Sequence, residues 1–300
     1  MTTEELRERQ SEYWRRVAES DGFDVEGLVI PRGGGLIRFD CQRRNITPPL
    51  RSLVKLYAMV GLHRYNMVKG TSFFLHSLLK FNKLTNCVSS YYITLIAYDP
   101  KSRDLQETFQ VRIDEKTRGN LDMTCSVARP KDEKGDLTKK KKPFSAHYHG
   151  GALAKNVIFK GGLPDWPSDL DLSNTKRFYM VTKQEWQDSN WIFFYLQLVI
   201  CAEDRFVDET VLDELQIVKV AIETGEDNDE RLNAKSAIVY ITFMGLVNGK
   251  PAECKAIVRR VLNVNGERLS LMGQLCGGVR LCLEKQVEIL RHKRARMINN

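Results

Sequence analysis

The chain contains no Cys-x-x-Cys, no Gly-x-x-x-x-Gly-Lys, no His-Glu-x-x-His and no Gly-x-Ser-x-Gly. These absences remove paired-cysteine structural zinc, a phosphate-cradling P-loop, helix-borne zinc hydrolysis and the serine nucleophile elbow. The seven cysteines, at 41, 87, 125, 201, 254, 276 and 282, are scattered and odd in number. A secreted disulfide framework needs a dense, even set, so a reduced intracellular compartment is expected. Long apolar runs are also missing. The longest, "WIFFYLQLVICA", is interrupted by Gln197 and is too short to span a bilayer. The opening residues, "MTTEELRERQSEYWRR", are charged and lack the apolar core of a signal peptide. The expectation is a soluble protein with no membrane partner.

What is present suits a packed fold. Of 300 residues, 42% are apolar and 28% charged, enough for one large domain or two of ordinary size. The formal charge of +8 and pI near 9.1 permit an anionic partner, either nucleic acid or an acidic protein face, without requiring one.

Residues 2 to 19 read as a helix. Thr2 and Glu5 have capping-box spacing, and Leu6, Tyr13, Trp14 and Val17 share one face as a candidate partner helix. "IPRGGGLIRFD" is a turn into a short strand, and its glycines lack the partners that phosphate binding needs. Helical spacing from Leu50 to Lys69 is followed by strand-like runs "FFLHSLLKF", "VSSYYITLIAYDP", "LQETFQVRID" and "NLDMTCSVA". Residues 131–176 shift to Lys, Gly, Pro and Asp, as a connector does. Thr182 and Glu185 then repeat the capping box, opening a segment to Ala202 that suits a helix, although "FFYLQLVIC" fits a strand equally. "LQIVKVAIET", "SAIVYITFM", "AECKAIVRRVLN" and "RLSLMGQL" read as strands, with Asn248-Gly249 and Asn265-Gly266 as hairpin turns. A last helix is expected over 279–297.

The predicted class is α+β: two tandem units, each a helix packed on a curled antiparallel sheet, plus N- and C-terminal helices. The boundaries are 1–48 for the N-terminal helix and lead-in, 49–130 for the first unit and 131–176 for the connector. The second unit is 177–276, and a basic helix occupies 277–300.

"GLHRYNMVKGTSFFLHSLLKFNK", "SSYYITLIAYD" and "ETFQVRI" resemble the helix end and following strands of plant cystatins, and "LQIVKVAIET", "AIVYITFMG" and "CKAIVRRV" echo that series. Cystatins block papain-type proteases with a Gln-x-Val-x-Gly hairpin, and the stretch here, "KLTNCVSS", has neither Gln nor Gly. Across residues 50 to 275, "KLYAMVGLHRYNMVKGTSFFLHSLLKFNK", "TKQEWQDSNWIFFYLQLVICAEDRF" and "AIVRRVLNVNGERLSLMGQ" resemble the crucifer-expanded plant family named for male sterility five. The resemblance implies a plant protein of unknown chemistry with a role in male fertility or meiosis and a nuclear location. It carries over no catalytic residues.

The candidate sites are modest. In "KKKKPFSAHYHGG", His147 and His149 lie on one side of an extended strand, but the nearby acids Asp132, Asp136 and Asp165 fix no third metal ligand. "HYHGG" has no nucleophile to serve, and "DWPSDLDLSN" and "GEDNDERLN" lack the spacing of a calcium loop. Two basic clusters remain, Lys139, Lys140, Lys141 and Lys142, and Arg291, Lys293, Arg294 and Arg296, which suit nuclear targeting or anion contact. No aromatics interleave with the lysines to stack bases. No catalytic residue, metal or cofactor is assigned. The expected function is a non-catalytic interaction protein of plant reproduction with protein partners. A cystatin-type inhibitor and a nucleic-acid-associated protein acting through the basic clusters are the alternatives.

Overall fold

A computed structural model describes residues 2–32, 34–43, 46–133, 144–146, 161–207, 209–226, 228–247 and 250–277. Its first half runs α1 (Thr3–Glu19), β1 (Leu36–Asp40), α2 (Pro48–Lys69), β2 (Phe74–Leu84), β3 (Ser90–Asp99), β4 (Ser102–Glu115) and β5 (Leu121–Pro130). The second runs α3 (Asp169–Leu172), β6 (Phe178–Val181), α4 (Lys183–Asp188), α5 (Asn190–Glu203), α6 (Glu209–Asp213), β7 (Gln216–Glu223), β8 (Ser236–Val247), β9 (Lys250–Leu262) and β10 (Leu269–Leu275).

The ten strands among the described residues belong to one antiparallel sheet in the order β1-β2-β3-β4-β5-β10-β9-β8-β7-β6, which reads the same from either edge. The two meanders join where β5 pairs with β10. There Thr124 faces Ser270, their hydroxyls 3.2 Å apart, while Cys125 faces Leu269 and Met123 faces Leu271. That register places an approximate two-fold axis at the Thr124–Ser270 pair.

The helices follow from local chemistry. Pro48 and Pro49 open α2, where a missing N–H costs nothing, and Gly70 closes it at φ +67° with its N–H donated to Asn66 O at 2.8 Å. Gly61 lets α2 sit tight on β4, since a Cβ there would overlap the side chain of Val111. α5 is apolar all round because it is buried all round, against the sheet and beside α2. Its buried Gln197 donates to Leu212 O at 3.3 Å. This settles the helix-or-strand ambiguity in favour of helix, and Ser189 breaks the expected single segment into α4 and α5.

α2 and α5 cover one face of the sheet, and a single apolar core runs beneath both, from Val54, Val111 and Ile113 to Ile192, Val239 and Val258. The other face is covered twice. In the first half, α1 and the following loop bury Tyr13, Val17, Phe23 and Val25 against Leu84 and Tyr92. In the second, Leu163, Trp166 and Leu172 cover Ile238, Tyr240 and Ile257. Part of the stretch expected to be a plain connector therefore forms a wall of the fold. Gly266, expected in a tight two-residue hairpin, instead lies in a longer loop over residues 263–268, which Asn263 organises by accepting from Gly266 N at 2.8 Å and Arg268 N at 2.8 Å. Asn248-Gly249 and the helix expected over 279–297 lie outside the described residues.

Candidate functional site

The site builds on α1. Its capping box forms as the spacing predicts, with Glu5 N donating to Thr2 Oγ1 at 3.2 Å and Thr2 N to Glu5 Oε2 at 2.7 Å. Tyr13 and Val17 face inward. Leu36 N donates to the Tyr13 hydroxyl at 2.8 Å, and burial raises that phenol above its usual range. Gln10 Nε2 donates to Gly34 O at 3.1 Å, so the helix is stitched to the lead-in of β1. The loop after α1 is held in turn by Asn82 Nδ2, which donates to Gly22 O at 2.8 Å and Phe23 O at 2.9 Å. Lys80 pairs with Asp24 and Glu26 at 2.5 and 2.6 Å.

Between α1 and residues 27–32 lies an open groove of about 890 Å3. Leu6, Tyr13 and Leu28 form its apolar floor, and Glu8, Arg9, Glu12, Arg16 and Arg32 its charged margins. Val29 is 87% exposed at the lip and Ile30 44%. Of the four residues expected on a partner helix, Tyr13 and Val17 are taken by the chain's own core, and Leu6 alone faces the groove with part of Tyr13. Trp14 is half-buried and stacks on Phe144 at 6.4 Å. The stripe read as a free docking face is thus mainly an internal seam, because the lead-in to β1 folds back over it. The docking signal sits instead in "LVIPR", where exposed aliphatics follow a glycine at positive φ.

Lys139 to Lys142, His147, His149, Asp136, Arg291, Lys293, Arg294 and Arg296 lie outside the described residues. Asp132 and Asp165 are described, and no group of three or more His, Cys, Asp or Glu among the described residues is placed to hold a metal ion.

The sequence reading missed two buried polar constellations. Tyr57 of α2 donates to Glu115 Oε1 at 2.6 Å, Arg205 donates to the same oxygen at 2.6 Å, and Ser89 N donates to Oε2 at 3.0 Å. The β2–β3 hairpin is thereby tied through Glu115 to α2 and to the end of α5. The second centres on Arg260, fully buried on β9. It donates to Ala234 O at 2.5 Å, lies 4.4 Å from the Trp191 ring and approaches His63 Nε2 at 3.4 Å. Arginine only donates, so that nitrogen is the acceptor. Burial, and then the Arg260 cation, hold the His63 imidazole well below its usual range. The cavity beside Tyr57, Glu115 and Arg205 measures about 10 Å3, too small for a substrate. Burial also pushes the thiols of Cys41 and Cys125 up to about 11 and that of Cys201 up to about 12, which makes them poor nucleophiles. Among the described residues no helix is long and apolar enough to cross a membrane.

Comparison with known proteins now adds a family. UPF0725 protein At1g23960 of Arabidopsis thaliana is 51% identical over 300 residues, covering 93% of this chain and 98% of the relative. The family model described as Protein MS5 matches residues 163–271. The chain belongs to the MS5, or UPF0725, family. Another family member, UPF0725 protein At3g19520 of Arabidopsis thaliana, is 49% identical over 278 residues, covering 88% of this chain and 87% of the relative. The crystal structure of MS5 from Brassica napus is similar at 31% identity with a TM-score of 0.60, covering 76% of this chain and 99% of that one. None of these family names states a ligand, reaction or partner.

Proposed function

We propose that this MS5-family chain is a non-catalytic interaction protein of plant reproduction, acting in male fertility or meiosis, and that a protein partner docks in the α1 groove. Its two halves, each a helix under a four-strand meander with one added edge strand, are read as cystatin-like units used as a scaffold. One observation carries the reading: Val29 and Ile30 stand exposed at the lip of an apolar groove with charged margins. An apolar centre with a polar rim is the ordinary anatomy of an interface, and the groove suits a short segment with two or three apolar anchors. The changed hairpin, anchored through Ser89 to Glu115, speaks against protease inhibition, since an inhibitor's wedge must stand free.

A nuclear location is part of the proposal and rests on the two basic clusters. A fluorescent fusion excluded from nuclei would refute it. The interaction is tested by using the full chain as bait in extracts of developing anthers, beside a Val29→Asp/Ile30→Asp variant. Partners enriched by the wild-type chain and lost from the variant support the groove. Equal capture by both baits overturns it.

A further inference from the structure

Residues 144–146 of the connector rest on the back of the sheet in a pocket built from three elements. The Phe144 ring lies 6.4 Å from Trp14 of α1 and 6.2 Å from Tyr92 of β3, with the Arg112 guanidinium of β4 6.0 Å from its centroid. Two main-chain carbonyls are also held. Arg112 Nη2 donates to Ser145 O at 2.9 Å, and the Tyr92 hydroxyl donates to Ala146 O at 3.4 Å.

The pocket is prepared independently of this segment. Arg112 Nε donates to Asp114 Oδ1 at 2.9 Å, and its guanidinium lies 5.0 Å from the centroid of the Tyr92 ring. Asp114, fully buried, also accepts from Ser90 Oγ at 2.6 Å and Ser126 Oγ at 2.8 Å. An aromatic slot beside two donors aimed at successive carbonyls is how extended peptides are read. The side chain gives specificity and the main chain gives affinity, while a fixed arginine lowers the ordering cost.

The same chemistry recurs across the two-fold axis. Asp114 faces Thr124 and Val261 faces Ser270, so Arg112 and Arg259, each two residues earlier, occupy equivalent strand positions. Arg259 Nη1 donates to Gly162 O at 3.2 Å, and Trp166, four residues further along the chain, packs on Tyr240 at 5.6 Å. Two points of the connector thus each present a main-chain carbonyl to an arginine of the sheet.

We propose that Trp14, Tyr92 and Arg112 form a binding pocket for an extended peptide bearing a phenylalanine followed by small residues, occupied in this chain by its own Phe144-Ser145-Ala146. A Phe-bearing segment of another protein gains this pocket when the tethered one leaves. Trp14 does not line the α1 groove, so failure of either site leaves the other standing.

The test uses a fluorescein-labelled peptide of residues 140–150, KKKPFSAHYHG, and full-length protein, read by anisotropy. A tethered ligand has an effective concentration on the order of 1 mM, so a peptide of about 100 µM affinity gains about tenfold when the pocket is vacated. The Phe144→Ala chain should therefore bind the peptide about tenfold tighter than wild type. Changing the peptide's own Phe to Ala should abolish that binding, and adding Arg112→Gln to the protein should weaken it. Equal binding to both proteins, no binding to either, or binding that survives loss of the peptide's Phe overturns the proposal. Should Phe144→Ala fail to fold, p-benzoylphenylalanine at position 144 of the otherwise native chain gives a second reading. Photocrosslinks to the tryptic peptides holding Trp14 or Tyr92 support the pocket, and crosslinks confined elsewhere refute it.

Discussion

Gly61→Ala tests whether α2 is seated on the sheet as tightly as the structure shows. Gly61 is buried in the middle of α2, where alanine would ordinarily stabilise the helix by about 1 kcal/mol. Here the added Cβ overlaps both methyl groups of Val111 and stands 2.9 Å from its Cβ. Carbon atoms pack at about 3.5–4.0 Å, so Val111 must withdraw by roughly 1 Å. It has nowhere to go, being fully buried on a central strand with a β-branched, rotamer-restricted side chain. Overpacking of this kind costs about 1–3 kcal/mol, occasionally more, and the top of that range applies to a clash with two methyl groups. After the helix gain, the net loss is about 2 kcal/mol. For 300 residues that corresponds to a Tm lower by about 3 °C. Urea and thermal denaturation would measure it. Val111→Ala made alone opens a cavity and also destabilises, but in the Gly61→Ala background it relieves the clash. The double mutant should therefore lose less than the sum of the singles by about 1 kcal/mol or more. A Gly61→Ala protein as stable as wild type, or strict additivity in the cycle, would refute the packing argument.

Two further outcomes follow from the buried polar groups. His63 is neutral in the fold and titrates near its ordinary value when unfolded, so stability falls as pH drops below about 6.5, by at most about 1.4 kcal/mol per pH unit. His63→Gln, which keeps an acceptor for Arg260, should flatten that fall in denaturation curves between pH 7 and 5, and an unchanged slope would count against the assignment. Glu115→Leu strands Arg205 and the Tyr57 hydroxyl, and should cost about 3 kcal/mol in urea denaturation. Adding Arg205→Met should recover part of that loss, whereas additive losses would show that the ion pair is not coupled.

Much of this fold is legible in the sequence where periodicity is strong. α2 and the strands after it carry spacing that only one secondary structure satisfies, and the α1 capping box is written in Thr2 and Glu5. α5 is harder to read because a helix buried on every side loses the polar stripe that marks it as a helix. β6 is only four residues long, too short for alternation to show. The union of the halves rests on Thr124 meeting Ser270, a pairing of residues far apart in the chain that leaves no local mark. Arg259 and Arg260 point to opposite faces of β9, and alternation alone would expose one of them. Both are buried, because helices cover one face and the 161–177 segment the other. The candidate groove was only half legible. The apolar face of α1 is visible in the sequence, but its occupation by the chain's own Leu36 and Phe144 is a tertiary fact.

The most direct test of the functional reading is made in the plant that encodes the chain. Lines lacking the protein would be complemented with the wild-type chain or with Val29→Asp/Ile30→Asp, substitutions at exposed positions that should leave folding and protein level unchanged. The account predicts reduced pollen fertility without the protein, restored by the wild-type chain and not by the groove variant. Full restoration by the groove variant, at equal protein level, would contradict it.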